Sequence, residues 1–79
     1  MKLKIQYFAQ LKESRGCSEE ELETSALTIK ELYSELKEKY NFNLDYHDLK
    51  VARSDQFCSW NTSLKDGDLI TFLPPVGGG

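Results

Sequence analysis

Histidine occurs once in this chain, cysteine twice, and no stretch of apolar residues approaches the about 18 that a membrane-spanning helix needs. Each scarcity removes a class of function. Cys17 and Cys58 are far apart, with no CxxC pair and no neighbouring histidine, so no metal site is expected. His47 lies in the polar stretch Asp45-Tyr46-His47-Asp48 and reads as a solvated loop residue, not a catalytic base. No serine stands in a nucleophile-elbow pattern, so a hydrolytic triad has no support. A positive balance is missing too. Ten basic residues face 13 acidic ones, a net charge of −3, which argues against nucleic acid or an anionic membrane as partner. The opening Met1-Lys2-Leu3-Lys4 alternates instead of running into a signal-peptide core, so a cytoplasmic protein with two reduced, passive thiols is expected. With 79 residues and 39% hydrophobic content, the chain supports one small domain around a thin core.

Proline and glycine are scarce through most of the sequence and abundant at its end. Pro74, Pro75, Gly77, Gly78 and Gly79 all fall in the last six residues, leaving only Gly16 and Gly67 elsewhere. What precedes them follows a readable order. Leu3, Ile5, Tyr7 and Ala9 alternate with Lys2, Lys4, Gln6 and Phe8, the period of a half-buried strand. Phe8 falls on the outward side, a candidate contact residue. Gln10 to Cys17 reads as a turn, through Ser14, Arg15 and Gly16. Ser18 to Ser25, rich in glutamate, reads as the hairpin partner of the first strand, its acidic side chains discouraging edge-to-edge pairing.

Thr28 and Glu31 have the spacing of a capping box, and Ile29, Leu32, Tyr33, Leu36 and Tyr40 then form one helical stripe ending at Asn41. Glu35 and Lys39 are placed for an i,i+4 pair on the solvated side. Leu44 to Asp48 is read as loop and Leu49 to Arg53 as a short strand. That strand aims Arg53 toward the core unless it ends there or the arginine stem reaches water. Phe57, Cys58 and Trp60 suggest a short irregular strand. Asp66-Gly67 marks a tight turn before a last strand, Asp68 to Leu73, with Ile70 and Phe72 on one face. Strand, strand, helix, strand, short strand, strand is the order of an α+β layer in which one main helix covers a mixed sheet. In so short a chain it points to the β-grasp, or ubiquitin-like, fold over residues 1–73.

Residues 74–79 read as a tail. Pro74-Pro75 cannot donate to a sheet ladder and favours a stiff, extended backbone. Glycine lacks a Cβ and can enter a passage too narrow for other residues. Taken alone, the glycines favour an inert end or a linker. A last strand leading through a rigid diproline to a bare glycine carboxylate has instead the form of a device that presents that carboxylate.

Two segments carry a family resemblance. Tyr7-Phe8-Ala9-Gln10-Leu11-Lys12-Glu13 is similar to an F-F/Y-A-x-h-R/K-E pattern (h, hydrophobic). Leu64-x-Asp66-Gly67-Asp68, followed by Phe72-Leu73-Pro74-Pro75-Val76-Gly77-Gly78-Gly79, is similar to L-x-D-G-D-x-h-x-h-h-P-P-V-x-G-G. With Thr28-Ile29-x-Glu31-Leu32 in register, the sequence resembles throughout the small, sulfur-carrying subunits of molybdopterin synthase. The resemblance implies a protein substrate, not an enzyme by itself. An E1-like enzyme would use ATP to adenylate Gly79, and a sulfur donor protein would then convert it to a thiocarboxylate. The tail would enter the large catalytic subunit, with Gly77 and Gly78 giving access, and pass sulfur to the pterin precursor of the molybdenum cofactor. Two small subunits would flank a dimer of large ones in a heterotetramer. Phe8, Phe57 and Leu73 fall at positions implied to contact the large subunit, as do Pro74, Pro75 and Val76 at the base of the tail. Lys12 takes the family's basic position near that surface. No bound cofactor and no metal are implied. The chain departs from the pattern at Gly77, at Leu73 in place of a frequent aromatic, and at Arg53-Ser54. A sulfur carrier for another pathway, such as thiamine synthesis, shares the tail, and so does a ubiquitin-like modifier joined to target lysines.

Overall fold

The structure, a computed structural model, describes residues 1–75. The first strand, β1 (Lys2–Tyr7), buries Leu3, Ile5 and Tyr7, as its alternation requires. It pairs antiparallel with β2 (Glu19–Glu23), Leu3 opposite Leu22 and Ile5 opposite Glu20. The main helix, α2 (Ile29–Tyr40), starts where Thr28 accepts the Glu31 N–H at 3.2 Å. Glu31 answers one residue further back than a capping box prescribes, accepting from the Leu27 N–H at 2.8 Å. Asn41 ends the helix in a left-handed conformation, φ 56°, which asparagine tolerates better than most residues.

A 3-10 turn (Tyr46–Asp48) leads into β3 (Lys50–Arg53) and the two-residue β4 (Gln56–Phe57), and β5 (Leu69–Leu73) closes the sheet. The strand order is β2-β1-β5-β3-β4. Within it β1 and β5 run parallel at the centre, with Ile5 beside Ile70 and Tyr7 beside Phe72. Val51 of β3 lies on the other side of Phe72. These residues and the α2 stripe of Ile29, Leu32, Tyr33 and Leu36 make one core. A helix laid over a mixed sheet in this order is the expected β-grasp.

The Asp66-Gly67 turn sets the register between the two central strands. Asp66 Oδ1 accepts the Lys2 N–H at 2.7 Å, and the Gly67 N–H returns 2.7 Å to the Lys2 carbonyl. Gly67 has φ 86°, which is why this turn uses glycine. Asp68 closes it by accepting the Lys65 N–H at 2.8 Å. The aspartates of the Asp-Gly-Asp motif thus hold the start of β5 against the start of β1.

Four expectations need correction. Residues 10–17 are not a simple turn: α1 spans Ala9–Arg15, and Gly16, φ 85°, is its C-cap. Glu35 does not face Lys39 but accepts from the Thr24 hydroxyl at 2.8 Å, tying α2 to the end of the hairpin. Cys58 and Trp60 lie beyond β4, with Trp60 stacked on Phe72 at 5.9 Å between ring centroids. The Leu44 to Asp48 loop includes the 3-10 turn. Arg53 resolves its placement by ending β3 and donating to the Ser63 carbonyl at 3.1 Å.

Candidate functional site

The face of the sheet turned away from α2 carries the site. Its residues are set by register. Gln6, Thr71, Ala52 and Phe57 stand in one row across β1, β5, β3 and β4. The Thr71 hydroxyl donates to Gln6 Oε1 at 2.9 Å, so the polar members of the row satisfy each other. Thr71 and Ala52 are buried although no helix covers this face. Phe8, Phe57 and Leu73 border the same shallow depression as Gln6, Ala52 and Thr71.

One row further along, Leu73 pairs with Lys50, and here the chain leaves the sheet through Pro74 and Pro75. A groove of about 630 Å³ opens at this point, lined by Phe8, Phe57, Leu73, Pro74 and Pro75, with Leu49 and Ala9 in its wall. His47, Asp48 and Lys50 give it a polar rim. Phe57 is 71% exposed and Phe8 46%, large values for aromatic side chains. Lys50 Nζ lies 5.8 Å from the Phe57 ring centroid, within cation–π range. An apolar surface with a charged rim is suited to protein contact.

Five sequence-selected residues, Phe8, Phe57, Leu73, Pro74 and Pro75, therefore line one groove. Val76, Gly77, Gly78 and Gly79 lie outside the described residues. Lys12 is exposed on α1 and borders a separate hollow with Glu13, Gly16 and Cys17, adjoining the groove through Ala9. Cys17 and Cys58 are unpaired and half-buried against the core. His47 is exposed, its Nε2 3.9 Å from Asp48 Oδ1. The rim residues Lys50, His47 and Asp48 were missed from the sequence. Lys50 was accessible to it, since the alternation of β3 places Lys50 opposite Val51.

Phe8 also begins α1. Its carbonyl accepts the Leu11 N–H at 3.2 Å, and Ala9 takes a left-handed φ of 51° that an alanine rarely adopts. The abrupt change from strand to helix at Phe8-Ala9 therefore occurs on the wall of the groove.

The sequence from residue 5 to residue 79 matches the ThiS family. The chain belongs to that family. A relative from Haemophilus influenzae, named molybdopterin synthase sulfur carrier subunit, is 31% identical over 80 residues, covering 98% of this chain and 99% of the relative. A chain in the solved complex of subunits 1 and 2 of molybdopterin-converting factor from Helicobacter pylori is 34% identical, with a TM-score of 0.70 and full coverage of both chains. SAMP1 from Haloferax volcanii shares the fold, with a TM-score of 0.81 at 19% identity over the whole of both chains. The β-grasp assignment stands on this agreement as well as on strand order. No helix among the described residues is long and apolar enough to cross a membrane.

Proposed function

We propose that this ThiS-family chain is the sulfur carrier subunit of a cytoplasmic molybdopterin synthase. The observation that carries the reading is the convergence of Phe8, Phe57 and Leu73 on one groove at the point where Pro74-Pro75 begins the glycine tail. A partner seated on that groove would receive the tail directly. The similarity to the H. influenzae carrier and to a chain of the H. pylori subunit 1 and 2 complex supports a second subunit as that partner. The proposed assembly is a heterotetramer, two carriers with two large catalytic subunits.

The chemistry follows from the terminal group. A carboxylate is a poor electrophile, so Gly79 must first be activated. An E1-like enzyme spends ATP to form the acyl-adenylate, releasing pyrophosphate. The outer sulfur of a donor protein's persulfide then displaces AMP to form an acyl disulfide. A second thiol cleaves it, leaving a disulfide with the donor thiol and a thiocarboxylate on Gly79. That sulfur is nucleophilic and attacks the pterin precursor inside the large subunit. Gly77 and Gly78 lack side chains and so suit a narrow passage, and Val76 with the diproline would meet the partner at its mouth. The activating and catalytic groups reside in the partners, and the carrier acts as their protein substrate.

The deciding measurement is the intact mass after incubation with the activating enzyme, ATP and a sulfur source. The expected gain equals the replacement of one oxygen by one sulfur. It should disappear in a chain lacking Gly79 whose thermal unfolding is unchanged. No gain under conditions that convert a known carrier would overturn the reading. Conjugates with target lysines in place of the thiocarboxylate would assign the chain to the ubiquitin-like modifiers.

A further inference from the structure

Four glutamates populate β2, but only one is enclosed. Glu19, Glu21 and Glu23 are exposed, whereas the Glu20 side chain is 15% exposed and meets donors from three other elements. Arg15 of α1 grips it with both arms of the guanidinium, Nε to Oε2 and Nη2 to Oε1, each at 2.9 Å. Tyr7 of β1 donates its hydroxyl to Oε2 at 2.6 Å. Tyr40 of α2 reaches Oε1 at 3.5 Å, and its ring lies 4.2 Å under the Arg15 guanidinium carbon. One carboxylate thus joins β1, α1, β2 and α2, with a fork that lysine could not reproduce.

The element most in need of this tie is α1. Its seven residues fall short of the about 12 that an isolated helix needs for even marginal stability. Leu11 is its one buried residue, no side chain caps its N-terminus, and it begins on the left-handed Ala9. Yet the Phe8 carbonyl accepts from the Leu11 and Lys12 N–H groups, so the first turn of α1 and the groove wall share one backbone. Loosening α1 would release Phe8.

We infer that Glu20 is a positioning residue for docking: by clamping Arg15 it holds α1 on the sheet and fixes Phe8 and Ala9 at the groove. The inference rests on the carrier reading for the identity of what docks. Glu20 itself is not among the residues that line the groove. Its effect is conveyed through the four-element tie and through the backbone of α1.

The test is Glu20→Gln in the full chain, followed by amide hydrogen exchange and by affinity for the large subunit. The amides of Leu11, Lys12 and Gly16 should exchange about tenfold faster, roughly what one charge-assisted hydrogen bond is worth. The Lys4 amide, bonded to the Asp68 carbonyl in the centre of the sheet, should change by less than about twofold. Affinity should fall by about threefold to tenfold. Should Glu20→Gln fail to fold, Arg15→Lys retains the charge, loses the fork and should give the same pattern more weakly. Equal acceleration of helix and sheet amides would reduce Glu20 to a general stabiliser and overturn the inference. So would a loosened α1 with unchanged affinity. If the wild-type chain neither gains sulfur nor binds a large subunit, the carrier reading fails and the docking role falls with it. The exchange result would still report on the clamp itself.

Discussion

Alternate residues of the same strands meet opposite surroundings on the two faces of this sheet. Tyr7, Val51, Ile70 and Phe72 point under α2 and are almost wholly enclosed, while Gln6, Lys50 and Leu73, their neighbours in sequence, face away from the helix. The inner face answers mainly to packing, so its residues are large and mostly apolar, although Tyr7 also sends its hydroxyl to Glu20. The outer face has no helix to satisfy it, yet carries Leu73, the exposed ring of Phe57 in the row of Gln6, Thr71 and Ala52, and Phe8 just past the end of β1. A single-residue shift in register would exchange the two sets. On the docking role proposed for the outer face, stability and recognition separate by residue parity, and substitutions can test how completely.

The largest effect is expected on the inner face. Phe72 packs against Tyr33 at 5.2 Å and Trp60 at 5.9 Å between ring centroids, with no access to solvent. Phe72→Ala should cost about 3–5 kcal/mol in chemical denaturation, by lost burial and the cavity left behind. For a domain this small that is a large part of the total stability. A loss below about 1 kcal/mol would mean that the core can collapse around the gap, contrary to close packing.

The outer face should invert that result. Phe57→Asp removes a ring that is mostly in solvent, so stability should stay within about 0.5 kcal/mol of wild type. Affinity for the large subunit should fall by about 2 kcal/mol or more if the ring is an anchor of the interface. Titration calorimetry beside a denaturation curve separates the two. A variant that binds normally would remove Phe57 from the docking face, and one that unfolds would break the division by parity.

Much of this division was legible in the sequence, and the gaps have physical causes. Period-two alternation gave β1, which buries one side only, and the inner face of β5, where apolar Ile70 and Phe72 alternate although Thr71 between them is buried too. The α2 stripe was equally plain, through four buried residues at helical spacing. In α1 that signal is absent, since a short helix with Leu11 alone buried has no stripe to show. Gly16 looked like a turn glycine because the same positive φ serves both a turn and a helix C-cap. Phe8, Leu73 and the diproline were read as contact residues from their place in the sequence and from family resemblance. Their meeting around one groove depends on the parallel pairing of β1 with β5, which joins residues at opposite ends of the chain. The Glu20 clamp was hidden for a similar reason. Period two with Leu22 puts Glu20 on the covered side of β2, but nothing in the acidic run names the three tertiary partners that enclose it.

That clamp also supplies the smallest expected effect, where the two faces meet at α1. The Arg15 hydrogen bonds hold the Glu20 carboxyl below its ordinary value of 4.5, burial opposing them and the Tyr7 hydroxyl reinforcing them. Lys39 adds a weaker attraction in the same direction. Burial, together with the Glu20 contact, pushes the Tyr7 hydroxyl well above its usual range, so Tyr7 remains a donor throughout. A depressed carboxyl contributes stability that is present in full above its unfolded value and is lost as pH falls through its folded one. Between pH 7 and about pH 3 the wild-type chain should therefore lose on the order of 1 kcal/mol more than Glu20→Gln, a modest figure because water reaches Arg15. Asp45, held low by Lys37, titrates in both proteins and cancels in the difference. Parallel stability curves would mean that the carboxylate contributes no more than a neutral amide of the same shape. In that event α1 is held by Leu11, by neutral hydrogen bonds and by the Arg15–Tyr40 contact, and the order of the groove wall owes nothing to the Glu20 charge.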